Sequence, residues 1–267
     1  MARIITLLTD WGNGDPFLAT MKGVIAGIAP DARVIDISHA VKKFDVREGA
    51  HFLSVAFKYF PKGTIHVGVV DPGVGSKRKP IIIRTKNYFF VGPDNGLLSA
   101  AAREDGIVET VEITNRKMML ENVSRTTHGR DMFAPAAAHL AKGVPLSKFG
   151  KKLAHCALLE LPRAAVLRGH IYGEVIYADS FGNLRTNISA EDLRKAGFFP
   201  GKELTACIAK KKQFCFRAPL CENYACVGKG DVLLVVAGDG LLEISLREGS
   251  AAEKFKVAIG DRVELKG

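Results

Sequence analysis

A chain of 267 residues, 47% hydrophobic and 25% charged, has the composition of a soluble globular protein and the length for one large or two modest domains. No run approaches the roughly 18 apolar residues of a membrane span, and the opening Met1-Ala2-Arg3-Ile4-Ile5-Thr6 lacks a signal-peptide h-region and cleavage site, so no membrane contact and a cytoplasmic setting are expected. The net charge of +10 would suit a phosphate-rich partner, but it is scattered over Lys42-Lys43, Lys77-Arg78-Lys79, Lys151-Lys152 and Lys210-Lys211-Lys212, with no aromatic-rich RNA-binding motif or helix-turn-helix pattern; a solvated surface is expected there rather than a nucleic-acid site.

In chain order, Ile4 to Leu8 reads as a strand, and Phe17 to Ile28 as an amphipathic helix, with Asp15-Pro16 suited to its start. Val34 to Ile37 is a second strand, Val46 to Tyr59 a second helix stopped by Pro61 and Gly63, and Ile65 to Val70 a third strand. Strands follow at Ile81 to Arg84, Tyr88 to Val91 and Val108 to Ile113, with a helix after Gly92-Pro93-Asp94-Asn95-Gly96 and another over Met132 to Leu140. This alternation predicts an N-terminal α/β domain over residues 1–158 with a mainly parallel sheet. A linker is expected over 159–168. From 169 to 267 the pattern changes to short strands separated by glycine, at Ile171 to Tyr177, Leu204 to Ile208, Phe214 to Phe216, Val232 to Val236, Leu241 to Ser245 and Val263 to Leu265, with one helix at Ala190 to Ala196. A small C-terminal β-barrel or sandwich is expected.

Five cysteines, Cys156, Cys207, Cys215, Cys221 and Cys226, form an odd number without CxxC spacing, so reduced thiols are expected, with neither a disulfide framework nor a zinc site. No HxH or HExxH pair occurs among the histidines, and no metal is assigned.

Polar residues cluster where the elements end. Asp10 closes the first strand, in a loop with Gly12, Gly14 and Asp15; an acceptor-only carboxylate there suits a ribose diol, and equally a helix cap. Asp71-Pro72-Gly73-Val74-Gly75 closes the third strand, with Arg78 seven residues after Asp71. That loop lacks the third glycine of GxGxxG and the lysine of a P-loop. A carboxylate with an arginine nearby is held ionised. His128, in the polar stretch Thr126-Thr127-His128-Gly129-Arg130, can take or pass a proton near neutrality; the other six histidines read as structural or surface groups. In the second domain, Asp179-Ser180-Phe181-Gly182-Asn183-Leu184-Arg185-Thr186-Asn187-Ile188 reads as one turn that combines an acid for an amine, Asp179, with an amide for a heterocycle edge, Asn183, and an ordinary β-turn reads the same way.

Taken in order, Thr9-Asp10-Trp11-Gly12, Phe44 to Ala50, Asp71 to Gly75 with Arg78, Gly92 to Gly96, His128-Gly129-Arg130-Asp131, Phe181-Gly182-Asn183 and Gly249-Ser250-Ala251 span nearly the whole chain. This set resembles the S-adenosylmethionine hydroxide adenosyltransferase family, the S-adenosylmethionine hydrolases, which are related to fluorinase and chlorinase. The resemblance implies that water displaces L-methionine from S-adenosyl-L-methionine to give adenosine, with no cofactor, in a homotrimer whose sites lie between subunits. It implies catalytic roles for Asp71, Arg78 and His128 around the attacking water, ribose contacts from Asp10 and Phe44, an ammonium contact from Asp179 and an adenine contact from Asn183. Asp15, Asn95, Phe181, Glu248 and Ser250 complete the substrate-binding set that it implies.

Two departures stand out. Gly238-Asp239-Gly240 occupies the place where the halogenases carry a serine-arginine pair for the methionine carboxylate, and the turn after Asp179 is one residue shorter than in fluorinase. Fixed carboxylate charge beside the nucleophile would repel a halide, so Asp71 and His128 favour water. The alternatives are a halide-using adenosyl transferase and a non-catalytic nucleotide- or RNA-binding protein; the latter predicts salt-sensitive binding without turnover.

Overall fold

The computed structural model describes residues 3–209 and 213–267. The Lys210-Lys211-Lys212 run and Met1-Ala2 lie outside the described residues. The chain divides into two compact units, Met1–Glu160 and Leu161–Gly267.

The first unit contains β1 (Ile4–Thr9), α1 (Phe17–Ile28), β2 (Arg33–Ser38), α2 (Val46–Ala56), β3 (Ile65–Val69), β4 (Pro80–Thr85), β5 (Phe89–Pro93), α3 (Ser99–Asp105), β6 (Ile107–Glu112), α4 (Ala134–Ala141) and β7 (Lys152–Leu153). Its sheet runs β2-β1-β3-β5-β4-β6-β7. Pairing is parallel across β2-β1-β3-β5. From β5 through β4 and β6 to β7 it is antiparallel, because β4 turns straight back into β5 without a crossover helix.

Both faces are covered, which explains the near-continuous apolar strands. Ile5, Leu7, Ile65 and Val67 pack with Met21 and Ile25 of α1 and Ala137 of α4 on one side. Leu8 and Val70 join Leu53 of α2 and Ala101 of α3 on the other. Asp45 starts α2 by accepting from the Arg47 and Glu48 amides. α1 starts differently from expectation: Pro16 stands at its N-cap without a side-chain cap, and Asp15 is free for another task.

Strand β1 lies between β2 and β3, so the chain leaves it first to one side and then to the other. The carboxyl ends of β1 and β3 therefore flank a topological switch point, the place where open α/β sheets present ligand sites.

The second unit contains β8 (Ala165–Leu167), β9 (His170–Ala178), β10 (Leu184–Ser189), α5 (Ala190–Lys195), β11 (Glu203–Ala209), β12 (Gln213–Cys221), β13 (Val232–Val236), β14 (Leu241–Leu246), α6 (Ala251–Phe255) and β15 (Arg262–Lys266). Part of the stretch expected as linker is therefore strand β8, paired to β9. The order β10-β14-β13-β12-β11-β15-β9 closes on itself through β9 with β10, giving a seven-stranded barrel. Closure leaves no strand edge open around the ring, and Ile171, Val175, Leu204, Leu234, Ile244 and Leu265 fill its interior. Ser189 begins α5 with a capping box to Asp192.

The expectation of reduced cysteines is corrected. Cys207 is disulfide-bonded to Cys215, and Cys221 to Cys226, leaving Cys156 as the free thiol. The reason is register: β11 and β12 pair antiparallel with Cys207 directly opposite Cys215, and the short segment after β12 returns Cys226 to Cys221. Neither pairing leaves a spacing signature in the sequence. Among the described residues no helix is long and apolar enough to cross a membrane.

Candidate active site

At the switch point of the first unit lies a cavity of about 270 Å³, lined by residues that include Asp10, Asp15, Phe44, Asp71 and His128. Four of its walls come from loops after strands or before helices. Asp10 follows β1 and is nearly buried; its Oδ2 accepts the Phe44 amide at 2.8 Å. This bond ties the β1 loop to the loop before α2, and Asp10 makes no cap to α1. Phe44 has φ +69, uncommon for a residue with a side chain, and its ring is 69% exposed at the cavity. Burial raises the pKa of Glu48, whose carboxylate accepts the Lys42 amide and so braces the same loop.

Asp71 lies just after β3 and meets Arg78 in a two-pronged ion pair. Arg78 Nε donates to Asp71 Oδ1 at 3.0 Å and Nη2 to Oδ2. Both side chains are more than nine-tenths buried, and the guanidinium lies 5.4 Å from the Phe133 ring centroid. Nη2 also contacts His128 Nδ1 at 2.7 Å. Arginine has no acceptor, so Nδ1 must accept, and the neutral ring then carries its proton on Nε2. Burial first, and the Arg78 charge second, hold the His128 pKa below the ordinary histidine value, partly offset by Asp71. The imidazole is thus neutral at physiological pH. Arg78 is not among the cavity-lining residues and stands behind Asp71 and His128, with its Nη1 buried and without a hydrogen-bond partner.

Local structure brings this group together. Gly75 has φ +77, and a Cβ there would lie 2.7 Å from the Arg125 carbonyl, so the Asp71–Arg78 loop can press against the loop that leads to His128. After His128 the chain makes a π-helical turn, Gly129–Phe133, before α4. Asp131, fully buried in that turn, accepts the Ser124 amide at 2.8 Å and so clamps the loop carrying Thr126, Thr127 and His128. Trp11 packs directly on Gly129, where a Cβ would come within 2.4 Å of the indole.

A second cavity, of about 840 Å³, lies in the second unit. Asp179, Phe181, Asn183, Glu248 and Ser250 all line it, as do Arg185, Tyr224 and Glu243. Asp179 shapes its turn by accepting the Phe181 and Asn183 amides, each at 2.9 Å, and the Asn183 side-chain amide at 3.0 Å. Phe181 projects into solvent, 77% exposed. Gly182, at φ +81, lets the turn approach Ser250, whose Oγ would lie 2.1 Å from a Cβ. Glu248 pairs with Lys229 at 2.8 Å.

One expected ligand contact is placed elsewhere. Asn95 is absent from both cavities' linings. Its side chain donates to the Val70 carbonyl at 2.8 Å and accepts the Leu97 amide at 3.1 Å, which locks the turn after β5 against the end of β3. Sequence reasoning missed Trp11, Tyr224, Glu243 and Arg185. Trp11 and Arg185 stood inside quoted stretches without being assigned a role, and Tyr224 and Glu243 stand on a turn and a strand with no motif of their own.

Family models for the SAM hydroxide adenosyltransferase N-terminal domain and C-terminal domain match residues 5–150 and 173–264. The chain belongs to this family. A curated relative in Salinispora tropica, (R)-S-adenosyl-L-methionine hydrolase, is 37% identical over 98% of this chain and 97% of its own. The fluorinase of an Actinoplanes species is 27% identical over 96% of this chain and 95% of its own. The crystal structure of an uncharacterized conserved protein from Thermotoga maritima superposes with a TM-score of 0.93 at 38% identity, covering 98% of this chain and all of that one.

Proposed function

We propose that this SAM hydroxide adenosyltransferase family member is an S-adenosyl-L-methionine hydrolase, forming adenosine and L-methionine. The observation that carries the reading is the contact group Asp71–Arg78–His128 beside a cavity at the switch point. Methionine leaves a sulfonium as a neutral thioether, so no acid is needed at sulfur and no cofactor is needed to activate the carbon. The task is to hold one water in line with C5′ and remove its proton. His128, neutral with its proton on Nε2, donates to the water oxygen, while the Asp71 carboxylate accepts a water proton as the C–O bond forms and the C–S bond breaks. Arg78 fixes both partners and stabilises hydroxide character.

Asp10 receives the ribose hydroxyls on the carboxylate oxygen not used by Phe44, and Phe44 and Asp15 flank them. Asp179 meets the ammonium, Asn183 the adenine, and Phe181, Ser250 and the backbone near Glu248 close around that end. The two cavities hold different parts of one substrate, and we assign them to neighbouring subunits of a homotrimer. The cytoplasmic setting belongs to the proposal as well. Support comes from the hydrolase relatives at 32–37% identity over almost the full chain, against 27% for the Actinoplanes fluorinase. A carboxylate at Asp71 beside the nucleophile favours water over halide. Incubating the purified chain with S-adenosyl-L-methionine and separating nucleosides by chromatography tests the reading: adenosine is expected, and a 5′-halo-nucleoside in chloride buffer, or unchanged substrate, contradicts it.

A further inference from the structure

Arg185 is the only lysine or arginine among the described residues lining the second cavity, where it faces Asp179, Glu222, Glu243 and Glu248. It lies on β10 opposite Glu243 of β14 in antiparallel register. Its Nη1 meets Asp239 Oδ1 and its Nη2 meets Glu243 Oε2, each at 3.0 Å. Both acids are themselves anchored. Asp239 accepts the Leu241 amide at 3.2 Å, and Glu243 accepts the Tyr224 hydroxyl at 2.8 Å and the Ser245 hydroxyl at 2.6 Å. The guanidinium is therefore fixed in position and plane by two strands and a turn. Those two contacts engage one nitrogen each of a group with five N–H donors.

A buried ion-pair network of this kind contributes little to stability compared with apolar packing. For a site, however, it offers a preoriented planar fork, the geometry that binds a carboxylate through two parallel hydrogen bonds. With its side chain 16% exposed, the guanidinium is shielded from competing water. The turn Gly238-Asp239-Gly240 supplies no cation of its own; its aspartate instead holds the arginine of the neighbouring strand.

We infer that Arg185 is the specificity residue for the α-carboxylate of the ligand's amino-acid end, held in place by Asp239, Glu243 and Tyr224. The inference rests on the hydrolase reading and deepens it. It makes the site selective for adenosyl sulfoniums that carry a carboxylate over those that have lost it.

The test compares S-adenosyl-L-methionine with its decarboxylated counterpart, the adenosyl sulfonium of 3-(methylthio)propylamine, in the wild type, Arg185→Lys and Arg185→Met. In the wild type the ratio of kcat/KM, carboxylated over decarboxylated, is expected at roughly 10 to 100, the range of a charge-assisted pair. Arg185→Met brings the ratio close to one, through KM for the carboxylated substrate. Arg185→Lys keeps a charge for Glu243 and gives an intermediate ratio, so it decides the matter should the methionine variant not fold. A wild-type ratio near one, or a ratio that both variants retain, overturns the inference. A wild type that releases no adenosine from either sulfonium overturns the hydrolase reading itself, and the two failures are thereby distinct.

Discussion

Residue by residue, the chemistry rests on an asymmetry between two groups that the sequence left interchangeable. Asp71 and His128 both read as groups that could take a proton, but the contact from Arg78 to Nδ1 makes His128 a donor at Nε2, and the proposed mechanism therefore gives the acceptor role to Asp71. Asp71→Asn and His128→Ala are each expected to lower kcat by roughly 10²- to 10⁴-fold with a smaller change in adenosine affinity. Equal losses in both, measured by steady-state kinetics and calorimetric titration with adenosine, would contradict these roles. Because burial and then Arg78 depress the His128 pKa, the ring takes up its proton at lower pH than an ordinary histidine does. The acid-side loss of activity that follows this protonation should accordingly lie below the ordinary histidine value. In Arg78→Met the second of those causes is gone, so the His128 ring, followed by NMR, should titrate at higher pH than in the wild type; an unchanged or lower midpoint contradicts the assignment. Gly129→Ala should displace Trp11, which a Cβ meets at 2.4 Å, and lower kcat at least several-fold through His128. That Asp10, Asp71 and His128 line one cavity was legible from polar residues that interrupt an apolar pattern, the first two just after strands and the third just before a helix. Asn95 also stands in a polar motif, and its amide bonds the backbone of Val70 and Leu97.

Among the elements, what was legible follows the strength of the apolar period. α1 runs over Phe17–Ile28 as the spacing predicts, and the strands agree to within a few residues. β10 was read as a turn and its neighbours, because Leu184-Arg185-Thr186-Asn187 interleaves polar side chains that satisfy a barrel and a cavity rather than a solvated face. The helix expected from Met132 begins instead as a π-helical turn at Gly129, a distortion with no apolar signature that places His128 at the cavity. β3 carries a further testable feature. His66 is fully buried, meets Thr6 Oγ1 through Nδ1 at 2.8 Å and leaves Nε2 without a partner among aromatic rings. Desolvation lowers its pKa to about 3. The unfolded chain takes up the proton near the ordinary histidine pKa of about 6.5 while the folded chain does not, so stability is fully present above that pH and is lost as pH falls toward 3. The loss totals on the order of 5 kcal/mol at the acid end. In chemical denaturation across pH 7 to 4, His66→Phe should show a shallower acid decline than the wild type, and an identical slope contradicts this account.

For the whole molecule, composition and alternation were enough for an α/β unit followed by a barrel or sandwich, whereas the pairing across strands that closes the barrel was not readable. The two disulfides illustrate the limit, since each depends on a register or a loop return that exists only once the barrel forms. Each closes a short loop, for which roughly 2–3 kcal/mol of stabilisation is expected. A dithiol reductant should therefore lower Tm by several degrees, and a melt indifferent to reductant would contradict the pairing. The homotrimer proposed for this chain makes a separate prediction. Neither His128→Ala nor Asp179→Ala should turn over substrate alone, but mixed trimers formed by co-expression should regain activity, because one subunit supplies an intact first-unit cavity and its neighbour an intact second-unit cavity. Activity that stays absent in the mixed trimers places both half-sites on one chain. Above all of these stands the claim that an oxygen of water becomes the 5′-hydroxyl of adenosine, held by Asp71 and His128 with Arg78 fixing both. Turnover of S-adenosyl-L-methionine in ¹⁸O-enriched water, read by mass spectrometry of the nucleoside, tests it most directly. One heavy oxygen per adenosine is the predicted result, and unlabelled adenosine, or no adenosine, would contradict it.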